Sequence, residues 1–316
     1  MSAARQAIQT SLNQFHSRPD FRASATDFFK SLGYESSRTL KIADTSAAGF
    51  TKQFDLTADQ FDSKKAQTEN WQQFQFLFQF GDAEVQRAAA GDQSLSLFNQ
   101  GINKGEKNSF FFHAVKLKVK PQEYRRTELA DITRQLNRPF SLPTVVLFEH
   151  ESCLTLGVIN RRPTKSKKEQ DLGKDVLEKV TLIKDIDLKK PHTAHLHILE
   201  ELRLGYQTET RKVTNFDSLL NGWRATLSTT ELNKRFYREL ANWYFWALQH
   251  VQFPTTTDSE ATTQHTAVIR LITRLIFVWF LKEKKLVPAA LFDETAIKKL
   301  LNFKDKTDST YYKAIL

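Results

Sequence analysis

The stretch from residue 108 to residue 162 constrains the fold more than any other part of this 316-residue chain. Phe110–Val119 ends in strict alternation. Val115, Leu117 and Val119 fall on one side and Lys116, Lys118 and Lys120 on the other, the period of a half-buried strand. Pro121 stops it, since a proline cannot donate to a strand ladder. Tyr124–Arg138 then sets Leu129, Ile132 and Leu136 at helical spacing. After Pro143 come TVVLFEH and CLTLGVIN, separated only by Glu151 and Ser152, which predicts a hairpin. The unit reads strand–helix–strand–strand.

The rest is arranged around it. Ala4–His16 and Ser24–Leu32 have apolar residues at helical spacing, with Gly33 as a stop. Trp71, Phe74, Leu77 and Phe78 fit a helical stripe, although WQQFQFLFQF also fits a strand. Ala88–Lys107 reads as a loop and KVTLIKDIDL (179–188) as a further strand ended by Pro191. From His192 onward the pattern is helical: His192–Leu202, Phe216–Leu227, Glu231–Val251, Thr266–Leu286, Glu294–Leu301 and a last segment from Ser309, with Thr255–Thr263 as a polar linker. The expected fold class is α+β: a small mixed β-sheet unit at about 108–188 with flanking helices, then an all-α part. The expected domains are 1–190 and 191–316.

With 25 Phe and 40% hydrophobic residues, the chain has ample material for a core, and wholesale disorder is excluded. One cysteine, Cys153, excludes a disulfide scaffold and a Cys-based zinc site and suits a reducing compartment. The first fifteen residues lack the apolar run of a signal peptide. The most apolar stretch, Ala267–Leu281, carries Arg270 and Arg274 and is short for a membrane span. A cytoplasmic protein with no membrane partner is therefore expected.

The net charge is +10, and it is uneven: −1 over residues 1–100, +7 over 101–212 and +4 over 213–316. A basic balance concentrated after residue 100 favours a polyanionic partner, nucleic acid being the commonest. Arg161, Arg162, Lys165, Lys167 and Lys168 give five cations in eight residues without an acid, a loop able to neutralise several phosphates or, equally, a solvated hairpin tip. On the helix 124–138, Arg126, Arg134 and Arg138 share about a third of the circumference, opposite Leu129, Ile132 and Leu136. That face suits a phosphate backbone, and it also suits an ordinary surface helix paired with neighbouring acids. Arg270 and Arg274 stand one turn apart in AVIRLITRLIFVWFL, where structural ion pairs are expected to satisfy them. The aromatics of ELNKRFYRELANWYFWALQHV are expected to be core.

Two catalytic arrangements are approached and not completed. His192, His195 and His197 cluster in PHTAHLH, but His197 leaves the shared helical face and no carboxylate joins the set, so no metal site is expected. A magnesium-dependent nuclease of the PD-(D/E)xK type needs an Asp followed by an acid–x–Lys on a strand. The nearest approach is Asp175 with Asp187-Leu188-Lys189, and the usual upstream proline is missing. GxxxxGK[ST], GxSxG, HExxH and a glycine-rich dinucleotide turn are all absent.

Several blocks together resemble a bacterial family. They are ELADITRQLNRPFSLPTVVLFEH (128–150), LTLGVINRR (154–162), KDVLEKVTLIKDI (174–186) with PHTAHLHIL (191–199), LNKRFYRELANWYFWAL (232–248), VIRLITRLIFVWFLKEKKLVPAALFD (268–293) and STYYKAIL (309–316). They are similar to the N-terminal portion of large type IIG-like restriction–modification proteins of phage defence, whose central part is a class I S-adenosylmethionine-dependent adenine-N6 DNA methyltransferase. The resemblance covers residues 108–316. That family's FxGxG cofactor loop and catalytic NPPY occur nowhere in this sequence. The resemblance thus implies an N-terminal fragment that holds double-stranded DNA and packs against missing C-terminal methyltransferase and specificity regions. It carries no cofactor itself; S-adenosylmethionine, and Mg2+ for any nuclease, would belong to the parent protein. One rival is a divergent nuclease domain on the 108–188 sheet, which requires Asp175, Asp187 and Lys189 to converge at one sheet edge. The other is an interaction module that docks through an exposed, Phe-rich first hundred residues.

Overall fold

A computed structural model describes residues 3–92, 101–159, 161–163, 175–177, 179–253, 260–284, 286–293 and 296. The chain divides into two compact units, Met1–Glu231 and Leu232–Leu316. The first is built on a five-stranded mixed sheet in the order β1-β2-β3-β4-β7. Its strands are β1 (Trp71–Gly81), β2 (Ser109–Leu117), β3 (Thr144–His150), β4 (Cys153–Ile159) and β7 (Thr181–Asp187). The helix α5 (Arg126–Asn137) carries the chain from β2 to β3, and this crossover makes their pairing parallel while every other neighbour is antiparallel. The expected strand–helix–strand–strand unit is thus present, and the fold class is α+β.

Both faces of the sheet are covered. One packs on α1 (Ala3–Ser17), α2 (Phe21–Ser31), α6 (Thr193–Leu202) and α8 (Phe216–Thr226), through residues such as Phe29, Phe112, Leu147, Leu199 and Trp223. The other packs on α3 (Ala47–Phe54) and α5, through Phe50, Phe74, Phe111, Ile132 and Phe148. The ambiguous run WQQFQFLFQF is a strand. A register shift against β2 between Phe76 and Phe78 inserts one extra residue. It puts Phe74 and Phe76 into one core layer and Phe78 and Phe80 into the other, as a bulge must when side chains alternate. The outer edge of β1 is covered by residues 38–45, since Phe74 N–H donates to Thr45 O (2.7 Å) and Gln79 N–H to Arg38 O (2.9 Å).

The helices after residue 192 do not begin a new unit, which moves the expected boundary from 190 to Glu231. The helix α7 (Leu204–Glu209) follows α6, and its first residue bonds back to the early chain, Leu204 N–H to Leu32 O at 2.9 Å. Tyr34 Oη donates to Leu202 O and accepts from Trp223 Nε1, both at 2.7 Å. Phe216 N–H donates to Asp82 Oδ1 (2.7 Å), where Asp82 opens α4 (Asp82–Ala89). Helical periodicity told of local structure. It could not tell which core the apolar faces would join.

A buried ion pair fixes the corner beside α4. The Arg38 guanidinium donates to both oxygens of Glu84 (3.2 and 2.9 Å) and to Glu106 (2.5 Å). It lies so close over Gly81 that a Cβ there would meet the guanidinium at 2.5 Å. Elsewhere in the core His113 is fully buried with neither ring nitrogen bonded, among Phe74, Phe76, Phe111 and Phe140. Burial pushes its imidazole pKa down to about 3.

In the second unit two long helices are described, α9 (Thr229–His250) and α10 (Glu260–Glu283), α9 belonging to it from Leu232 on. On α9, Phe236, Tyr237, Trp243, Phe245 and Trp246, expected to be core, are exposed, and so are Phe277, Trp279 and Phe280 on α10. Arg270 and Arg274 are exposed too and make no ion pair among the described residues. The helix runs longer than the apolar stretch suggested: Gln264–Glu283 has the length and mean hydropathy (1.3) to cross a membrane, and it is the one such helix among the described residues.

Candidate nucleic-acid interface

The hairpin β4–β7 does not stop at the sheet. Beyond Val158, which pairs with Thr181, the two chains continue as β5 (Arg161–Pro163) and β6 (Asp175–Leu177), with Arg161 opposite Leu177 and Pro163 opposite Asp175. The register is that of one antiparallel ribbon that leaves the sheet edge as a separate two-stranded piece. The basic run thus starts on this ribbon: Arg161 and Arg162 lie in β5, while Lys165, Lys167 and Lys168 fall outside the described residues.

The second predicted basic element stands at the ribbon's root. Helix α5 begins with a capping contact, Arg125 N–H to Glu128 Oε2 at 2.5 Å, and buries Leu129, Ile132 and Leu136. Arg126 and Arg134 are exposed, and so is Arg138 at the C-cap. These three share an i, i+4, i+8, i+12 ridge with Ala130, and ridges of that spacing are the rows by which helices pack. Ala130 is where the ribbon root seats, clustered with buried Ile159 and Val180. Nearby, the Thr133 hydroxyl is so close to Gly157 that a Cβ there would meet it at 2.9 Å. Along the helix, Arg126 precedes Ala130 by one turn and Arg134 and Arg138 follow it by one and two. Arg134 pairs with Asp131 (2.5 Å), whereas Arg126 and Arg138 form no ion pair among the described residues. Arg138 still helps, behind the Lys65 and Lys64 backbone N–H groups, to hold the Asp62 carboxyl below its usual range.

The nuclease arrangement is not assembled. Asp175 opens β6 in the ribbon, and Asp187 closes β7 at the opposite end of the sheet, paired with Cys153. The six residue steps from Thr181 to Asp187 alone span about 20 Å at roughly 3.3 Å each, and Asp175 lies further still along the same arm. The Asp187 carboxylate caps a turn, with its Oδ1 accepting from Lys189 N (2.8 Å) and Lys190 N (2.7 Å). Convergence of Asp175, Asp187 and Lys189 is therefore corrected: the extended arm from β6 into β7 carries residues twelve apart in sequence to opposite ends. In the histidine cluster, His192 and His195 stack edge to face, while Arg5 bridges to Glu200 at 2.9 Å and reaches His197 at 3.3 Å. No group of three or more His, Cys, Asp or Glu among the described residues is placed to hold a metal ion.

Among the described residues of the Phe-rich first hundred, no phenylalanine offers an exposed docking face. Phe15, Phe21, Phe28, Phe29, Phe50 and Phe54, like those of β1, are buried in the two core layers. What sequence reasoning missed is Ala130. Its place in the arginine row was visible, but that the row's one small residue seats a neighbouring strand pair depends on tertiary packing. Comparison of the chain with protein-family models, with characterised proteins and with solved structures found no match.

Proposed function

We propose that this chain is the N-terminal DNA-binding and scaffolding part of a bacterial restriction–modification protein of phage defence, acting in the cytoplasm. In this reading adenine-N6 methyl transfer, with S-adenosylmethionine and base flipping, is performed by regions outside this chain. The observation that carries the DNA-binding half is the packing of Ala130, in the arginine row of α5, on Ile159 and Val180, where the chain leads into the ribbon that holds Arg161 and Arg162. A two-stranded ribbon is one of the two elements that the major groove of a duplex admits. Cations along its root would supply phosphate contacts that position without specifying sequence. The exposed apolar helices of the second unit support the scaffolding half, because such faces mark interaction surfaces. The nuclease alternative loses its support with the separation of Asp175 from Asp187.

The test is salt-dependent binding of the full chain to a random DNA duplex. It is repeated with Arg161, Arg162, Lys165, Lys167 and Lys168 changed to Ala, and separately with Arg126→Ala plus Arg138→Ala. The expected result is a steep loss of affinity with salt, with a log–log slope that shrinks by about 0.9 for each phosphate contact removed. Absence of binding at low salt would sink the DNA-holding role.

A further inference from the structure

Helix α10 carries a second apolar stripe that the described residues of its own unit leave open. Val268 is fully buried on one side of the helix. Away from it, Ile269, Ile276, Phe277 and Phe280 recur at i, i+7, i+8 and i+11, within about 100° of arc, and each is between 43% and 59% exposed. Thr273 lies in the middle of the stripe. Its hydroxyl donates to Ile269 O (2.8 Å), which satisfies the one polar group there and leaves its methyl outward-facing chemistry unopposed. A helix apolar all round normally lies inside a larger assembly. The other exposed aromatics of α9 and α10 lie on several sides of their helices and outside this stripe.

The charges narrow the choice of occupant. Arg270 and Arg274 border the stripe on one side only and have no ion pair among the described residues. Ile272 and Trp279 border the other side, with Glu283, paired to Lys282, at its C-terminal end. A nucleic acid has no use for a stripe of isoleucines, since bases stack on aromatic planes. A second copy packed antiparallel along the same stripe would bring the arginine border of one α10 against that of the other. We infer that the α10 stripe docks a protein helix or groove of complementary chemistry: apolar along its centre, with aspartate or glutamate on the one border that meets Arg270 and Arg274. This rests on the scaffolding half of the proposed function and is independent of DNA contact.

The experiment uses the full chain and two dye-labelled helical peptides of three heptads. Both have leucine at the seam positions; one has glutamate at the flanking positions and the other lysine. The expected result is anisotropy-detected binding of the glutamate peptide, about tenfold or more tighter than the lysine peptide. The double variant Arg270→Glu plus Arg274→Glu, checked for unchanged helicity by circular dichroism, should reverse that preference. Phe277→Ser should weaken both peptides. Equal binding of the two peptides, no binding of the glutamate peptide, sedimentation with phosphatidylcholine–phosphatidylglycerol vesicles, or concentration-dependent dimers abolished by Phe277→Ser would each overturn the assignment. Since DNA binding is read separately, loss of one result leaves the other standing.

Discussion

The two units treat the same residue type in opposite ways. In the sheet unit Trp223 is 0% exposed, bonded through Nε1 to Tyr34 and stacked near Phe110. In the helical unit Phe277 is 59% exposed on a helix whose neighbours are apolar as well. Aromatic content is therefore no guide to a core by itself. What separates the units is whether a second layer exists to receive the rings. The sheet supplies two such layers, while among the described residues the α9 and α10 faces receive none.

Substitution should expose that contrast most sharply at the rings. Trp223→Ala is expected to cost about 3–5 kcal/mol in denaturant unfolding. Phe277→Ser in α10 should stay within about 0.5 kcal/mol in the same assay, as for surface positions generally. Equal costs would mean that the exposed rings are covered within the chain. Next in size is Arg38→Met, which leaves Glu84 buried beside Gly81 without its guanidinium. The expected loss is about 3 kcal/mol, and Glu84→Gln combined with Arg38→Met should recover part of it.

Acid should act on the sheet unit through His113. His113 titrates near 3 when folded and near 6.5 when unfolded, so the unfolded chain takes up its proton first. Stability from this group is complete above about pH 6.5 and is lost as pH falls toward 3, by up to about 1.4 kcal/mol per pH unit. His113→Phe should flatten that dependence in urea titrations at pH 4 to 7 and cost less than about 1.5 kcal/mol at neutral pH. A pH profile unchanged by the substitution would remove His113 as its source. The smallest effect is expected at Arg134→Ala, where an exposed pair with Asp131 is lost. A change above about 1 kcal/mol would show that the ridge has a structural role.

Legibility followed the periodicity of the pattern. The stretch 108–162 could be read because alternation, a proline and a two-residue gap each have one structural meaning. The β1 run could not, because its bulge turns Phe78 and Phe80 to the face opposite Phe74 and Phe76. That leaves rings at every second position serving both layers. The boundary at Glu231 was hidden for another reason: α6 and α8 look like any amphipathic helices, and only Tyr34, Asp82 and Leu32 show that they close the sheet's face. At the candidate site the arginines and the basic run were visible. The ribbon that carries them and the alanine that seats it were not, since both depend on the register between β4 and β7.

The outermost strand has one more consequence. Among the described residues no strand pairs with the free side of β7, and an open edge of hydrogen-bonding groups is a template on which identical chains can stack. Here the strand is interrupted by Asp185, a non-glycine residue at φ +60° whose amide donates inward to Thr155 Oγ1 (3.2 Å), with the Lys184 ammonium against its carboxylate. The twist and the paired charges spoil the straight edge that a neighbouring chain would need. Replacing this pair by valines would turn the rim into an adhesive one, so a local irregularity acts as this protein's protection against its own copies in a crowded cell.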